Sequence, residues 1–145
     1  MLKGIPNIIS PELLKALCEM GHGDELVIAD GNFPAESVGK NSVVVRADGH
    51  GVPEILDAVL SLIPLDTYTD KPVALMQLVE GDTCGIPPVW DEYYALIMKH
   101  EKRKVEIEYT ERFAFYERAK KAYLIIATGE TAIYANVLLK KGVVK

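Results

Sequence analysis

Two cysteines are all that this 145-residue chain contains, and they share no pairing pattern. Cys18 lies in the helical run Leu13–Cys18 and Cys84 in a Gly-Asp-Thr-Cys-Gly turn, so no disulfide framework is predicted and a reducing, cytoplasmic setting is expected. An excess of positive charge is also missing. Sixteen Lys plus Arg stand against 21 Asp plus Glu, a formal charge of −5, and no basic stripe is long enough to follow a phosphate backbone. No nucleic-acid partner is therefore expected. No apolar run approaches the ~20 residues that span a bilayer, which speaks against a membrane partner. The opening segment Met1–Pro6 lacks the charged start, apolar middle and small-residue cleavage site of a secretory signal.

Several signatures of chemistry are absent too. There is no Gly-x-Gly-x-x-Gly, no Gly-Lys-Ser/Thr phosphate loop and no nucleophile elbow, so nucleotide cofactors are not indicated. Metal ligands would have to come from His22 with Asp24, or from Asp48 with His50 and Glu54. Neither group has the i, i+4 histidine spacing or a convincing third ligand, and the expectation is no metal and no cofactor. His100, at the charged end of a helix, reads as solvated.

What the chain does have is apolar surface. Apolar residues make up 49% of it, rich for a monomer of this size, and the excess is surface that subunits can cover. A homo-oligomer is predicted. The length fits one domain spanning residues 1–145.

The pattern of elements alternates. Ser10-Pro11-Glu12 is a helix start with a serine cap and a proline at the first helical position, and Leu13, Leu14, Leu17 and Met20 form its apolar face. Strand Leu26–Ala29 follows, then a turn-rich corner at Gly31–Pro34. A strand at Ser42–Arg46 leads into a helix at Pro53–Ile63, and a strand at Pro72–Val79 leads to a helix at Val89–His100. An alternating strand at Val105–Tyr109 precedes a helix capped by Thr110. The strands Tyr123–Ala127 and Tyr134–Lys140 close the chain. The class is α/β, with a mixed sheet between helices on both faces, in three layers. Ligands in such sheets gather at loops beyond strand ends, where Asp30, Glu80–Thr83 and Thr128–Glu130 fall.

The stretch Glu19–Ala35 organises the rest. A helix ends at Met20-Gly21, His22 sits between two glycines, and the short strand Leu26–Ala29 runs to Asp30. Gly21 is where a left-handed helix cap would fall, and with Gly23 it leaves the imidazole on an open loop. His22 also fits a plainer role, as a charge suited to the negative end of a helix dipole. Asp30 equally fits a turn former. A neutral polar set remains: His22, Asp30, Arg112, Tyr116, Tyr134 and Asn136. It offers donors and acceptors without an activated nucleophile, which suits binding a polyhydroxylated, uncharged ligand and moving protons on it. Arg112 and Tyr116 share a helix face at a spacing of four. Tyr134 and Asn136, two apart on a strand, share a face as well. Each pair also fits a structural reading, Arg112 in a surface ion pair and Tyr134 as a rim aromatic.

In three segments, Gly21-His22-Gly23-Asp24, Arg112-Phe113-Ala114-Phe115-Tyr116-Glu117-Arg118 and Tyr134-Ala135-Asn136, the chain resembles the fucose mutarotase and ribose pyranase family. The resemblance extends through Ser10–Lys15, Ala29-Asp30, Phe33–Ala35, Arg46–Gly49, Val79–Thr83 and Leu138–Val143. It implies a cofactor-free isomerase that interconverts the anomers of a reducing sugar, with His22 as proton donor. Asp30, Arg112 and the Tyr134-Ala135-Asn136 segment match the family's sugar contacts. The Arg-Phe-Ala-Phe-Tyr segment places the chain nearer the fucose branch, so L-fucose is the expected sugar. Ala135 stands where some fucose members have glycine, and Gly85–Pro88 looks like an insert. Members of the family form large rings, commonly decamers.

Anomer exchange needs a proton delivered to the ring oxygen and another taken from the anomeric hydroxyl. An imidazole gives and takes protons near neutral pH. His22 is the expected acid/base, with Tyr116 a second proton carrier, Asp30 and Asn136 holding hydroxyls, and Arg112 and Tyr134 orienting the sugar. One consequence is geometric. Residues 25–29, extended at about 3.3 Å each, put roughly 16 Å between His22 and Asp30, so the Gly21–Gly23 loop folds back, or Asp30 acts indirectly, or, the preferred expectation, the pocket is shared between two subunits. The alternatives are a D-ribose pyranase, a non-catalytic sugar-binding protein and a metal-dependent isomerase.

Overall fold

The computed structural model describes all 145 residues. Nine-residue α1 (Pro11–Glu19) starts as the serine and proline require: the Ser10 hydroxyl accepts the Leu13 amide. The chain then runs β1 (Glu25–Ala29), α2 (Ala35–Val38), β2 (Val43–Ala47), α3 (Val52–Leu60), β3 (Val73–Met76), α4 (Val89–His100), β4 (Ile107–Thr110), α5 (Arg112–Ala119), β5 (Leu124–Thr128) and β6 (Val137–Lys140).

The six strands form one sheet in the order β2-β5-β1-β6-β3-β4. β2, β5 and β1 are parallel, β3 and β4 are parallel, and β6 runs antiparallel between the two sets. Because successive side chains on a strand point to opposite faces, the central strands β1, β5 and β6, apolar at all but one end position each, feed two cores. Leu26 and Ile28 face α1, α3 and α4 in the larger core, while Val27 and Ala29 face α2 and α5 in the smaller one. The expected three-layer mixed sheet is what forms. β1 and β5 are buried along nearly their whole length, as near-continuous apolar runs should be.

Some boundaries differ from the sequence expectation, each for a local reason. The corner after Asp30 contains the short helix α2, which buries Ala35 and Val38. α5 is capped by Glu111 rather than Thr110, since the Glu111 carboxylate accepts the Phe113 and Ala114 amides at 3.0 Å. The left-handed residue after α1 is Gly23 (φ +85°) and not Gly21, because Met20 caps the helix in an extended conformation. The last strand starts at Val137 instead of Tyr134. Tyr134 is itself left-handed (φ 54°), the one non-glycine residue of that kind, and its carbonyl accepts the Trp90 indole N–H at 2.8 Å. No helix is long and apolar enough to cross a membrane.

Candidate active site

The carboxyl ends of β1, β3 and β4 lie at one edge of the sheet. Antiparallel β6 starts at that edge, and α5 begins there directly after β4. This topology brings Asp30, Met76, Arg112, Tyr116, Tyr134 and Asn136 around a single cavity of about 260 Å³. Residues up to 106 positions apart in sequence meet there because antiparallel β6, inserted between β1 and β3, starts at the edge where those two strands end.

At the base of the cavity Asp30 and Asn136 form a reciprocal pair. The Asp30 amide donates to Asn136 Oδ1 at 2.9 Å, and Asn136 Nδ2 donates to Asp30 Oδ2 at 2.8 Å. Asp30 Oδ1 also accepts the Asn32 amide at 3.0 Å. Burial raises the Asp30 carboxyl above its ordinary value, and the amides of Asn32, Phe33 and Ala135 and the Asn136 side chain only partly oppose this. A carboxylate gripped this way has a fixed direction and lone pairs left for a ligand's hydroxyls.

Arg112 and Tyr116 do share a face of α5, and both line the cavity. The Arg112 guanidinium lies 5.8 Å from the Tyr116 ring centre and 5.9 Å from that of Phe113. Arg112 has no carboxylate partner, which removes the ion-pair reading and leaves its five donors free. Tyr116 packs against Phe33 at 5.5 Å between ring centres.

Tyr134 and Asn136 do not share a strand face, since neither is in β6. They nonetheless meet at the cavity because the left-handed turn at Tyr134 swings its ring over it. The Tyr134 hydroxyl donates to Asp82 Oδ2 at 2.7 Å and accepts the Val79 amide at 3.1 Å. The bond to Asp82 raises the phenol above its ordinary value. Ala135 lines nothing: its side chain is fully buried, and its carbonyl accepts the hydroxyl of buried Tyr93 at 2.7 Å. Its backbone, not its methyl group, supports the site.

His22 lies at the other end of β1, outside this cavity. Its side chain is 45% exposed, so it is neither packed in the core nor fully in solvent. Nε2 sits 3.1 Å from Oδ1 of Asp66, and the ring lies 5.2 Å from that of Tyr68, which is exposed. Burial works to raise the Asp66 carboxyl, but the Tyr68 amide, then His22 and Lys140, more than offset this and hold it below its ordinary value. Facing a carboxylate that has only lone pairs to offer, Nε2 carries the hydrogen, and Nδ1 is the nitrogen left for chemistry.

Sequence reasoning missed Asp66 and the apolar lining residues Met76 and Ile133; it placed Asp82 in a strand-end loop and Phe33 and Val79 in family segments, but gave none of the three a role of its own. Met76 carried one usable signal, as the last buried residue before a loop. Asp66 carried none. No three or more His, Cys, Asp and Glu side chains come together in a group that could hold a metal ion. His50 pairs with Glu54, and His100, more buried than expected, with Asp57 at 2.6 Å.

Residues 3–144 match the sequence model of the RbsD / FucU transport protein family. The chain belongs to this family. Within it, the chain is 54% identical over 147 residues to the fucose mutarotase of Danio rerio, covering 99% of this chain and 95% of that one. Among solved structures it is similar to FucU from Bifidobacterium longum, with 64% identity, a TM-score of 0.95, and 99% and 100% of the two chains covered. It is also similar to the fucose mutarotase of Streptococcus pneumoniae in complex with L-fucose, with 51% identity, a TM-score of 0.92, and 99% and 100% coverage. RbsD of Bacillus subtilis, complexed with D-ribose, shares the fold at a TM-score of 0.73 with 23% identity over the full length of both chains. The mixed sheet with helices on both faces is thus the fold of the family.

Proposed function

We propose that this protein is an L-fucose mutarotase, an isomerase that exchanges the α and β anomers of the sugar by cofactor-free acid/base ring opening. The observation that carries this is the cavity at the β1 edge, where the fixed Asp30–Asn136 pair and the unpartnered Arg112 face a space suited to a monosaccharide. Full-length similarity above one half to the fucose mutarotases supports it. The ribose reading rests on likeness of fold alone.

In this reading Asp30 and Asn136 hold hydroxyls, Arg112 donates to sugar oxygens, and the Tyr134 ring forms a wall. Tyr116, whose hydroxyl has no protein partner, is the second proton carrier. His22 takes the anomeric proton on Nδ1 while the Tyr116 hydroxyl gives its proton to the ring oxygen. The C1–O5 bond breaks to an aldehyde and a C5 hydroxyl, the aldehyde turns about C1–C2, and closure on its other face reverses both transfers. Asp66 sets the tautomer of His22 and shelters the imidazolium when it forms. Since His22 and Asp30 cap opposite ends of β1, each pocket takes its imidazole from a neighbouring subunit. The cavity is smaller than the ~300–1,000 Å³ of complete small-molecule sites, as expected of one that a second chain closes. A homodecamer in the cytoplasm is the assembly and setting that fit. Cys18 and Cys84, both free and exposed, suit a reducing compartment.

Saturation-difference NMR on L-fucose tests the proposal. The wild-type protein is expected to accelerate exchange, and His22→Ala to lower the catalysed rate by ~10²–10⁴-fold with the circular-dichroism spectrum unchanged. Binding without acceleration would reduce the protein to a sugar-binding module, and a near-normal rate in the variant would remove His22 from the reaction.

A further inference from the structure

The polar half of the cavity accounts for a sugar's hydroxyls. Its other half has no such task. Met76 and Phe33 form an apolar floor, 5% and 8% exposed, within the smaller core. Val79 and Ile133 stand at the mouth, 46% and 53% exposed. Large aliphatic side chains left open beside a polar ligand site are costly unless something apolar covers them. At the mouth, the Val79 amide is already taken by the Tyr134 hydroxyl and is not left for a ligand. Met76 ends β3 next to the start of β6, so this floor adjoins Asn136 directly.

Resting on the mutarotase reading, we infer that Met76, Phe33, Val79 and Ile133 form a subsite for the methyl group on C5 of a 6-deoxyhexose, and that they set the substrate class. L-Fucose carries one group that neither donates nor accepts a hydrogen bond, and it is this methyl. L-Galactose bears the same ring hydroxyls with CH₂OH in its place, and D-arabinopyranose bears them with hydrogen there. The three sugars therefore differ only in what they present to this wall. A missing methyl leaves the wall uncovered. An added hydroxyl finds no partner on four side chains that have none to offer.

Exchange rates for the three sugars, measured by saturation-difference NMR on the wild-type protein, decide the matter. kcat/KM for L-fucose is expected to exceed each of the others by ~10-fold or more, the size of effect that one methyl in an apolar pocket produces. Met76→Gln puts an amide into the floor, and Val79→Thr puts a hydroxyl at the exposed mouth, where folding is not at stake. Both are expected to bring L-galactose closer to L-fucose, by ~5-fold or more in the ratio. Equal acceleration of all three sugars by the wild type, or ratios unmoved in Val79→Thr, overturns the subsite and leaves the mutarotase reading standing. Acceleration of none of them overturns both.

Discussion

If each pocket draws His22 from one chain and Arg112 from another, two inactive variants should repair each other. His22→Ala removes the acid/base. Arg112→Ala removes a guanidinium that contacts only the Phe113 and Tyr116 rings and forms no ion pair, so the fold has little to lose. Charge-assisted hydrogen bonds contribute about 1.5–3 kcal/mol each, which corresponds to a loss of roughly 10–100-fold in kcat/KM. Mixed at equal amounts, unfolded in denaturant and reassembled together, the two variants distribute at random around the oligomer. A shared pocket then receives a wild-type His22 from one subunit and a wild-type Arg112 from its neighbour about one time in four, so about a quarter of wild-type activity should return. A pocket built within one chain returns nothing, because every chain carries one defect. NMR exchange on L-fucose reads the activity and native mass spectrometry confirms that mixed assemblies formed. Mixed assemblies with no recovered activity would refute the shared site.

Two further outcomes concern stability. Because the Asp66 carboxyl is held below its ordinary value of 3.8, it stabilises the folded chain above that pH, and the stabilisation is lost as pH falls through the lower folded value. Asp66→Asn is thus expected to flatten the acid limb of a urea-derived stability–pH curve below about 4, and an acid limb as steep as the wild type's would contradict the assignment. Gly129→Ala should lower stability by ~1–3 kcal/mol in urea titration, since an added Cβ would run into the Asp48 backbone carbonyl at the turn beside Gly31. An unchanged midpoint would show that this turn has room to give.

Much of the architecture could be read from spacing alone. Apolar runs such as Leu26–Ala29 and Leu124–Ala127 read as strands, and Ser10-Pro11 as the start of a helix. Side chains close in sequence and on one regular element were also placed well, as Arg112 and Tyr116 were on α5. The misses share a cause. Tyr134 was assigned to a strand because its neighbours are apolar, yet the Trp90 indole and the Asp82 carboxylate, 44 and 52 residues away, hold it in a left-handed turn. Asp66 sits in a segment with no periodicity. Only the fold brings it opposite His22, 44 positions earlier in the chain.

By itself the sequence determined the three layers, the α/β class and most of the polar residues that line the cavity, because hydrophobic periodicity, caps and short motifs act over a few residues at a time. Only the tertiary structure decided that Asp30, Asn136 and Arg112 meet at one edge of the sheet while His22 is held by Asp66 at the other. That choice depends on strand order and on the antiparallel insertion of β6, which are set by long-range pairing and by no local signal.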